Sequence, residues 1–320
     1  MIILTRSEIE ALIDFDAAAK AIEAAYIATS LGHVNLPPVG HITFPEGADC
    51  HIKYGHMAGD PNFVIKVATG FPQNGAKGLV SGNGLVLVLS AETGMVEAML
   101  HDEMMLTDIR TGIGGAIASR ALARADSRIA LVIGTGPQAR RQIEAHAALL
   151  PNLSFQLWGR SAAKADALVA DMTPQFEVHA VRDLEVATRS ADVIITATGS
   201  NTPIVESEWV QAGTHITAVG ADAPGKQELD NLLVSRADIL TVDLASQCLD
   251  HGEVSHAAAK GLIGPSDLQE LGQLLNGTSR ARANESQITI ADLTGIAAQD
   301  IAMANTVLGI WKKRPQYLQR

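Results

Sequence analysis

The sequence predicts an α/β protein, in which a Rossmann-type doubly wound parallel sheet is joined to a second, α+β domain. Three observations predict this. After Ala125, apolar strands alternate with helical segments, which is the pattern of βαβ units. The first of these strands runs into a glycine-rich turn that opens a helix. The first hundred residues instead predict a helix followed by an antiparallel sheet.

The N-terminal region begins with a helical pattern from Ser7 to a stop at Gly32, and Asp14 to Asp16 are candidates for an interruption. Three strands are predicted after it, the last two joined by the hairpin signal SAETG: Phe63–Thr69, Gly84–Leu89 and Val96–His101.

The strand NFVIKVATGF contains Lys66, and a lysine is costly to bury without a partner or a function. Strand alternation places Lys66 on one face with Val64 and Ala68. We expect the opposite face, with Ile65 and Val67, to be core and the Lys66 face to line a cleft.

Composition excludes several classes of function. The formal charge is -11 and the pI about 5.3, which argues against a nucleic-acid surface. Cys50 and Cys248 are too few for a disulfide framework and are expected to be reduced. The ten histidines show no H-x-x-x-H spacing, so no metal site is expected. With no membrane-length apolar run and no leader pattern, we expect a cytoplasmic protein.

The glycine-rich turn matches the G-x-G-x-x-G/A dinucleotide fingerprint and stands between an apolar strand and a helix, as that site requires. The first glycine permits the tight turn, the second lets the backbone approach a pyrophosphate, and the helix N-terminus supplies donors. An ordinary glycine-rich turn is the alternative. The six residues are Gly134, Thr135, Gly136, Pro137, Gln138 and Ala139.

The second strand of the fingerprint unit ends at Gly159, where an NAD-preferring site usually carries Asp or Glu for the ribose hydroxyl. Arg160, Ser161 and Lys164 can instead accept a 2′-phosphate. The sequence therefore favours NADP(H) over NAD(H). In the alternative, Arg160 stacks on the adenine and the site accepts NAD(H).

Several charged residues outside the fingerprint can carry chemistry. Asp222 follows a strand, where ligands of open α/β sheets bind. Each member has an ordinary structural explanation: a solvated lysine, a surface ion pair or a helix cap. Together they provide cations for a carboxylate and an acid–base pair. The set comprises Lys53, His56, Lys66, Arg110 and Asp222.

The chain resembles the ornithine cyclodeaminase/mu-crystallin family nearly from end to end. The resemblance depends on ordered motifs, among them IKVATGFPQN, LTDIRTGIGGAIASR, GTGPQA, VGADAPGKQELD and LTGIAAQD. It implies that residues 1–118 with 298–320 bind substrate and form a homodimer through their sheet, and that residues 119–297 form the Rossmann domain.

The resemblance also implies residue roles. Lys66 and Asp222 correspond to catalytic positions, and Lys66 and Arg110 to substrate-binding ones. Lys53 and His56 are further substrate-binding candidates on their own residue chemistry. Besides the fingerprint, Arg160 and Ser161, the expected cofactor-binding residues are Thr111, Thr196, Ala197, Thr198, Val219, Gly220, Asp222, Thr294 and Gly295.

The chain departs from the family pattern at three places. Gly40 and His41 stand where many members have an arginine that clamps a carboxylate, Lys53 stands where many have methionine, and Asp292 where many reductases have lysine. These departures argue against the ornithine reaction and favour an open-chain substrate.

We therefore expect NAD(P)H-dependent reduction of a small 2-imino acid to an L-amino acid, or the reverse reaction. The extra cations Lys53, His51 and His56 favour a second substrate carboxylate, as in the conversion of iminosuccinate to aspartate. The alternatives are reduction of pyrroline-2-carboxylate or another ketimine, an ornithine cyclodeaminase-type lyase that recycles its cofactor, and a non-catalytic NADPH-binding protein. Retention of Lys66, Arg110 and Asp222 argues against the last.

Overall fold

The computed structural model describes residues 1–314 and divides the chain into two compact units. One comprises Met1–Arg110 with the segment from Ile296 onward, and the other comprises Thr111–Gly295. The sequence predicts divisions at 118/119 and 297/298. In the structure, residues 111–118 belong to the second unit and residues 296 and 297 to the first. The end of the expected C-terminal segment, 315–320, lies outside the described residues.

The secondary structure of the described residues alternates between short strands and helices along the chain. In chain order the strands are β1 (Ile2–Thr5), β2 (Val34–Asn35), β3 (Gly40–Thr43), β4 (Asp49–Met57), β5 (Asn62–Gly70), β6 (Gly82–Ser90), β7 (Val96–His101), β8 (Ile129–Ile133), β9 (Ser154–Trp158), β10 (Val178–Ala180), β11 (Val193–Thr196), β12 (Asn201–Val205), β13 (His215–Ala218), β14 (Gln227–Leu229), β15 (Ile239–Val242), β16 (Leu268–Glu270) and β17 (Thr289–Asp292). The helices are α1 (Arg6–Glu10), α2 (Phe15–Ser30), α3 (Met105–Leu122), α4 (Pro137–Leu149), α5 (Ala162–Met172), α6 (Leu184–Ser190), α7 (Asn231–Arg236), α8 (Ala245–Asp250), α9 (Glu253–Ala259), α10 (Leu271–Leu275) and α11 (Ala297–Lys312).

The first unit is built on a sheet in the order β1-β7-β6-β5-β4-β2, with β3 also paired to β4. The expected antiparallel sheet is present from β4 to β7, while β1 adds a parallel edge strand beside β7. The expected N-terminal helix is split at Asp14, whose side chain caps α2 by accepting from the Ala17 amide.

Helix α11 packs on α2 and on strands β4, β5 and β6. It therefore covers the face of the sheet that carries Val64, Lys66 and Ala68, all of which are buried. The expected assignment of the two faces was wrong, because this face is the covered one and Ile65 and Val67 lie on the more open side.

The second unit contains a parallel sheet in the order β10-β9-β8-β11-β13-β17-β15-β16, as the alternation of strands and helices predicted. Apolar residues on its two faces pack into separate clusters, one including Leu131 and Ile133 and the other Ala130 and Val132. The chain leaves β8 toward β9 and returns to β11 on the other side. The strand order therefore reverses between β8 and β11, where a ligand crevice is expected.

Among the described residues, no helix has both the length and the apolar character needed to cross a bilayer.

Candidate active site

In the first unit, two buried cations share one buried carboxylate. Lys66 Nζ donates to Asp300 Oδ1 at 3.0 Å and lies 2.9 Å from Oδ2, and Arg110 Nε lies 3.3 Å from Oδ1. All three side chains are no more than 6% exposed. This buried ion cluster thus has one residue from each of three elements, β5, α3 and α11.

Gln299 holds Arg110 from the same helix as Asp300. Its Oε1 accepts from Arg110 Nη1 at 3.2 Å, and its Nε2 donates to the Arg110 carbonyl at 3.2 Å. The guanidinium and its own backbone are therefore both tied to α11, which limits the rotamers of the arginine.

Lys53 lies directly opposite Lys66 across β4 and β5 and is 6% exposed. Opposed residues of an antiparallel pair project to the same face, so both lysines share the side that α11 covers. Three cations, Lys53, Lys66 and Arg110, therefore surround Asp300, an arrangement suited to holding a further carboxylate.

The pKa of Lys66 is lowered to about 7, mainly by burial and further by Arg110 and Lys53, while Asp300 acts in the opposite direction. Burial alone would raise the pKa of Asp300, but the cations Lys66, Arg110 and Lys53 hold that pKa below its ordinary value. Near neutral pH the lysine can therefore change its protonation state while the carboxylate stays ionised, which is the property of a proton-transfer group.

The structure does not bring His56 into this cluster. Strand alternation sends it to the opposite face of β4 from Lys53, where its Nε2 lies 3.0 Å from the Asp60 carbonyl oxygen. His51 does share the Lys53 face, since it lies two residues before Lys53 on β4.

In the second unit, the fingerprint adopts the backbone that a dinucleotide requires. Gly134 has φ 134°, and a Cβ added there would lie 2.5 Å from the Ala197 carbonyl oxygen. Gly136 is the N-cap of α4, Pro137 occupies its first turn, and a Cβ on Gly136 would meet nothing within 4 Å. The helix N-terminus is therefore open to an anion, and these residues fit a bound pyrophosphate.

The Thr135 side chain lies beside Gly159. A Cβ at Gly159 would lie 2.4 Å from Thr135 Cγ2. Ser161 caps α5 by accepting from the Lys164 amide at 3.4 Å, and Arg160 is exposed. A side chain at position 159 would therefore require Thr135 to move, and Arg160 is the charged side chain at this strand end.

The Glu228 side chain links the loops that follow β11 and β13, which contain expected cofactor-binding residues. It is buried, and its two oxygens accept from the Thr198 amide at 2.6 Å and the Gly220 amide at 2.9 Å. Glu253 in turn accepts from the Glu228 amide at 2.7 Å. Burial raises the pKa of both carboxyls. Neither glutamate was identified from the sequence, although Glu228 lies within the motif VGADAPGKQELD.

A separate carboxylate, Asp243, organises the expected loop Thr294–Gly295. Its oxygens accept from Thr294 Oγ1 at 3.1 Å and from the Gly295 amide at 2.6 Å. Asp292 next to this loop is buried, and burial raises its pKa to about 7. Its Oδ2 accepts from the Val254 amide at 3.0 Å. Asp292, which stands where the resemblance implies lysine in many reductases, is therefore a buried hydrogen-bond acceptor.

The remaining expected residues occupy varied environments. Asp222 is half exposed and accepts from Lys226 Nζ at 2.6 Å. The Thr111 carbonyl accepts from Gln142 Nε2 at 3.1 Å. Thr196, Ala197 and Val219 lie at or just beyond the ends of β11 and β13. Their roles in binding or catalysis stay predictions.

Comparison with known proteins identifies relatives over the whole described chain. The family model described as "Ornithine cyclodeaminase/mu-crystallin family" matches residues 1–314. An archaeal alanine dehydrogenase dimer with bound NAD is 34% identical, with a TM-score of 0.89 and coverage of 97% of this chain and 95% of that one.

Two further solved structures of relatives extend the range of named activities. The Thermococcus litoralis Δ1-pyrroline-2-carboxylate reductase, in complex with NADH and L-proline, is 27% identical, with a TM-score of 0.91 and 97% coverage of both chains. The Paracoccus denitrificans iminosuccinate reductase, in complex with NAD+, is 30% identical, with a TM-score of 0.87 and coverage of 98% of this chain and 96% of that one.

Proposed function

Because the chain belongs to the ornithine cyclodeaminase/mu-crystallin family, we propose that it catalyses NAD(P)H-dependent reduction of a small 2-imino acid, or the reverse oxidation of the amino acid. The observation that carries this proposal is the buried cluster of Lys53, Lys66 and Arg110 around Asp300. Relatives with similar folds are named as alanine dehydrogenase and as reductases of cyclic or open-chain imines.

Gly134, Gly136 and the N-terminus of α4 would hold the dinucleotide, whose reduced nicotinamide would supply the hydride for an imine carbon. Arg110 holds the substrate carboxylate, since a buried guanidinium pairs strongly with an anion. Lys66 Nζ donates a proton to the imine nitrogen, so that one hydride and one proton convert C=N to CH–NH, and the lysine regains its proton from water. Its lowered pKa suits this exchange near neutrality.

For the substrate we propose iminosuccinate, which gives aspartate. Lys53 adds a positive group to the face that holds Lys66, and this suits a second carboxylate. The iminosuccinate reductase among the relatives supports this choice. His56 lies on the other face of β4 and is not part of the proposed substrate site.

For the cofactor we propose NADP(H), because Gly159 stands where an NAD site usually has an acid and Arg160 is the charged group there. The complexes among the relatives hold NAD or NADH, so the proposal makes this chain different from them.

For the assembly we propose a homodimer through the open face of the first sheet. Ile3, Met99, Leu87, Ile65 and Tyr54 form an apolar row in direct register on that face. The two end members, Ile3 and Tyr54, are 53% and 37% exposed. The archaeal alanine dehydrogenase is a dimer, which supports a second copy as the partner.

The decisive experiment measures initial rates of NADPH and NADH oxidation with three substrates: oxaloacetate with ammonium, pyruvate with ammonium, and pyrroline-2-carboxylate. We expect the highest kcat/KM with oxaloacetate and ammonium. No oxidation with any of the three would refute the reductase proposal, and proline formation from ornithine without net change in NAD(P)H would indicate the lyase instead.

A further inference from the structure

His41, Asp49 and His51 form a compact group at one end of the first sheet. His41 and His51 are direct partners across β3 and β4, and their ring centroids are 4.5 Å apart. Asp49 lies two residues before His51 on the same face, and its Oδ2 is 3.1 Å from His51 Nε2. Each residue offers one ligand atom, and these atoms all lie within 4.8 Å of one another.

The backbone leaves room for the carboxylate of this group. Asp49 lies opposite Gly70, and a Cβ added to Gly70 would lie 2.7 Å from Asp49 Oδ1. The side chains of His51 and Asp49 are 16% and 24% exposed, and His41 is exposed. The three residues therefore project from paired strands of the sheet, and an ion can reach them from solvent.

We propose that His41, Asp49 and His51 bind a divalent transition-metal ion of the Zn²⁺ type. Two imidazoles and one carboxylate are a ligand set that zinc and its neighbours prefer, whereas Mg²⁺ and Ca²⁺ prefer oxygen ligands. Three protein ligands leave at least one coordination position for water or another donor. His51 Nε2 and Asp49 Oδ2 are already 3.1 Å apart, which is about the distance between two ligands of one zinc ion. Small side-chain shifts would therefore bring the three donor atoms onto one ion.

The group is distinct from the cluster around Asp300, although both lie on one face of the sheet. His51 and Lys53 are two residues apart on β4, which is about 6.6 Å along a strand. Sequence spacing alone did not reveal the group, because its histidines meet through strand register rather than through a helical or short-range motif.

The test is binding of ZnCl₂ to the full-length protein, measured by isothermal titration calorimetry after treatment with chelator, with MgCl₂ as the comparison ion. We expect one equivalent of Zn²⁺ to bind and Mg²⁺ to bind far more weakly. His41→Gln, His51→Gln and Asp49→Asn should each weaken Zn²⁺ binding by at least about tenfold. Lower pH should weaken it as well, since protons compete for the imidazoles.

His33→Gln is the matched control, because His33 is exposed on the first unit outside the group. It should bind Zn²⁺ as the unmodified protein does, and circular dichroism should show that all variants are folded. Absence of a stoichiometric site, or equal affinity in the control and the three variants, would overturn the proposal. None of these readouts depends on turnover, so the reductase proposal stands or falls separately.

Discussion

Lys66 and Asp300 are separated by 234 residues in the chain and form a buried ion pair at 2.9–3.0 Å. Arg110 shares the same carboxylate at 3.3 Å. Removing one partner from a buried ion pair is far more costly than its net contribution suggests, because a charge is left inside the protein without compensation. Asp300 is therefore the residue on which the stability of the cation cluster depends most directly.

Asp300→Asn should destabilise the protein by about 3–5 kcal/mol, because Arg110 would keep its charge without its buried counter-ion and Lys66, whose pKa Asp300 raises, would have to lose its proton. Urea unfolding at pH 7 measures this change. Asp16→Asn, an exposed position in the first turn of α2, is the control and should change stability by less than about 0.5 kcal/mol. Equal effects of the two substitutions would contradict the buried-pair account.

Lys66→Met should lower kcat by about 10²–10⁴-fold, because the lysine supplies the proton that the imine nitrogen receives. Cofactor binding, measured by quenching or enhancement of NADPH fluorescence, should be nearly unchanged. Lys20→Met on the exposed side of α2 serves as the control. Turnover near the unmodified rate would leave Lys66 with a structural role only.

The pH dependence follows from the pKa of Lys66, which burial lowers to about 7. Reduction requires the protonated lysine, so kcat/KM should be high below pH 7 and fall about tenfold per pH unit above it. Asp292 also has a pKa near 7, so the profile should be repeated with Asp292→Asn. The descending limb should persist in that variant, and its disappearance would assign the titration to Asp292.

Arg160→Gln should lower kcat/KM for NADPH by roughly 10–100-fold and change that for NADH little, since a hydrogen bond to a charged group contributes about 1.5–3 kcal/mol. The exposed Arg280 provides a control, Arg280→Gln, which should affect neither cofactor. A parallel loss with both cofactors would argue that Arg160 stacks on the adenine instead of binding a 2′-phosphate.

Ile65→Glu should convert the protein from dimer to monomer, because it introduces a charge into the apolar row on the open face. Sedimentation velocity at micromolar concentration measures the change. Leu232→Glu makes the same kind of substitution at a residue that is 60% exposed on the second unit, and it should leave the assembly unaltered. Dissociation by both variants, or by neither, would contradict the proposed interface.

Local patterns predicted the features that local chemistry determines. The fingerprint, the parallel sheet of the second unit and the split N-terminal helix follow from spacing and capping within a few residues. Strand β1 was missed because four residues are too short to show a period, and its pairing with β7 spans most of the first unit.

Long-range partners could not be predicted in the same way. LTGIAAQD was identified as a motif, yet nothing in the sequence indicated that Asp300 would neutralise Lys66. Alternation showed which residues share a face with Lys66 but not which face a helix would cover. The presence of a charge suggested a cleft, whereas the pairing with α11 made that face the interior.

The discontinuity of the first unit also has a consequence for biosynthesis. A ribosome completes Lys53, Lys66 and Arg110 long before Asp300 and Gln299 emerge, because the whole second unit lies between them in the chain. During translation the sheet can therefore form, but Lys66 and Arg110 lack their counter-ion Asp300 until α11 has been made. The second unit is synthesised without interruption and can fold on the nascent chain, so the first unit is completed only after α11 has emerged.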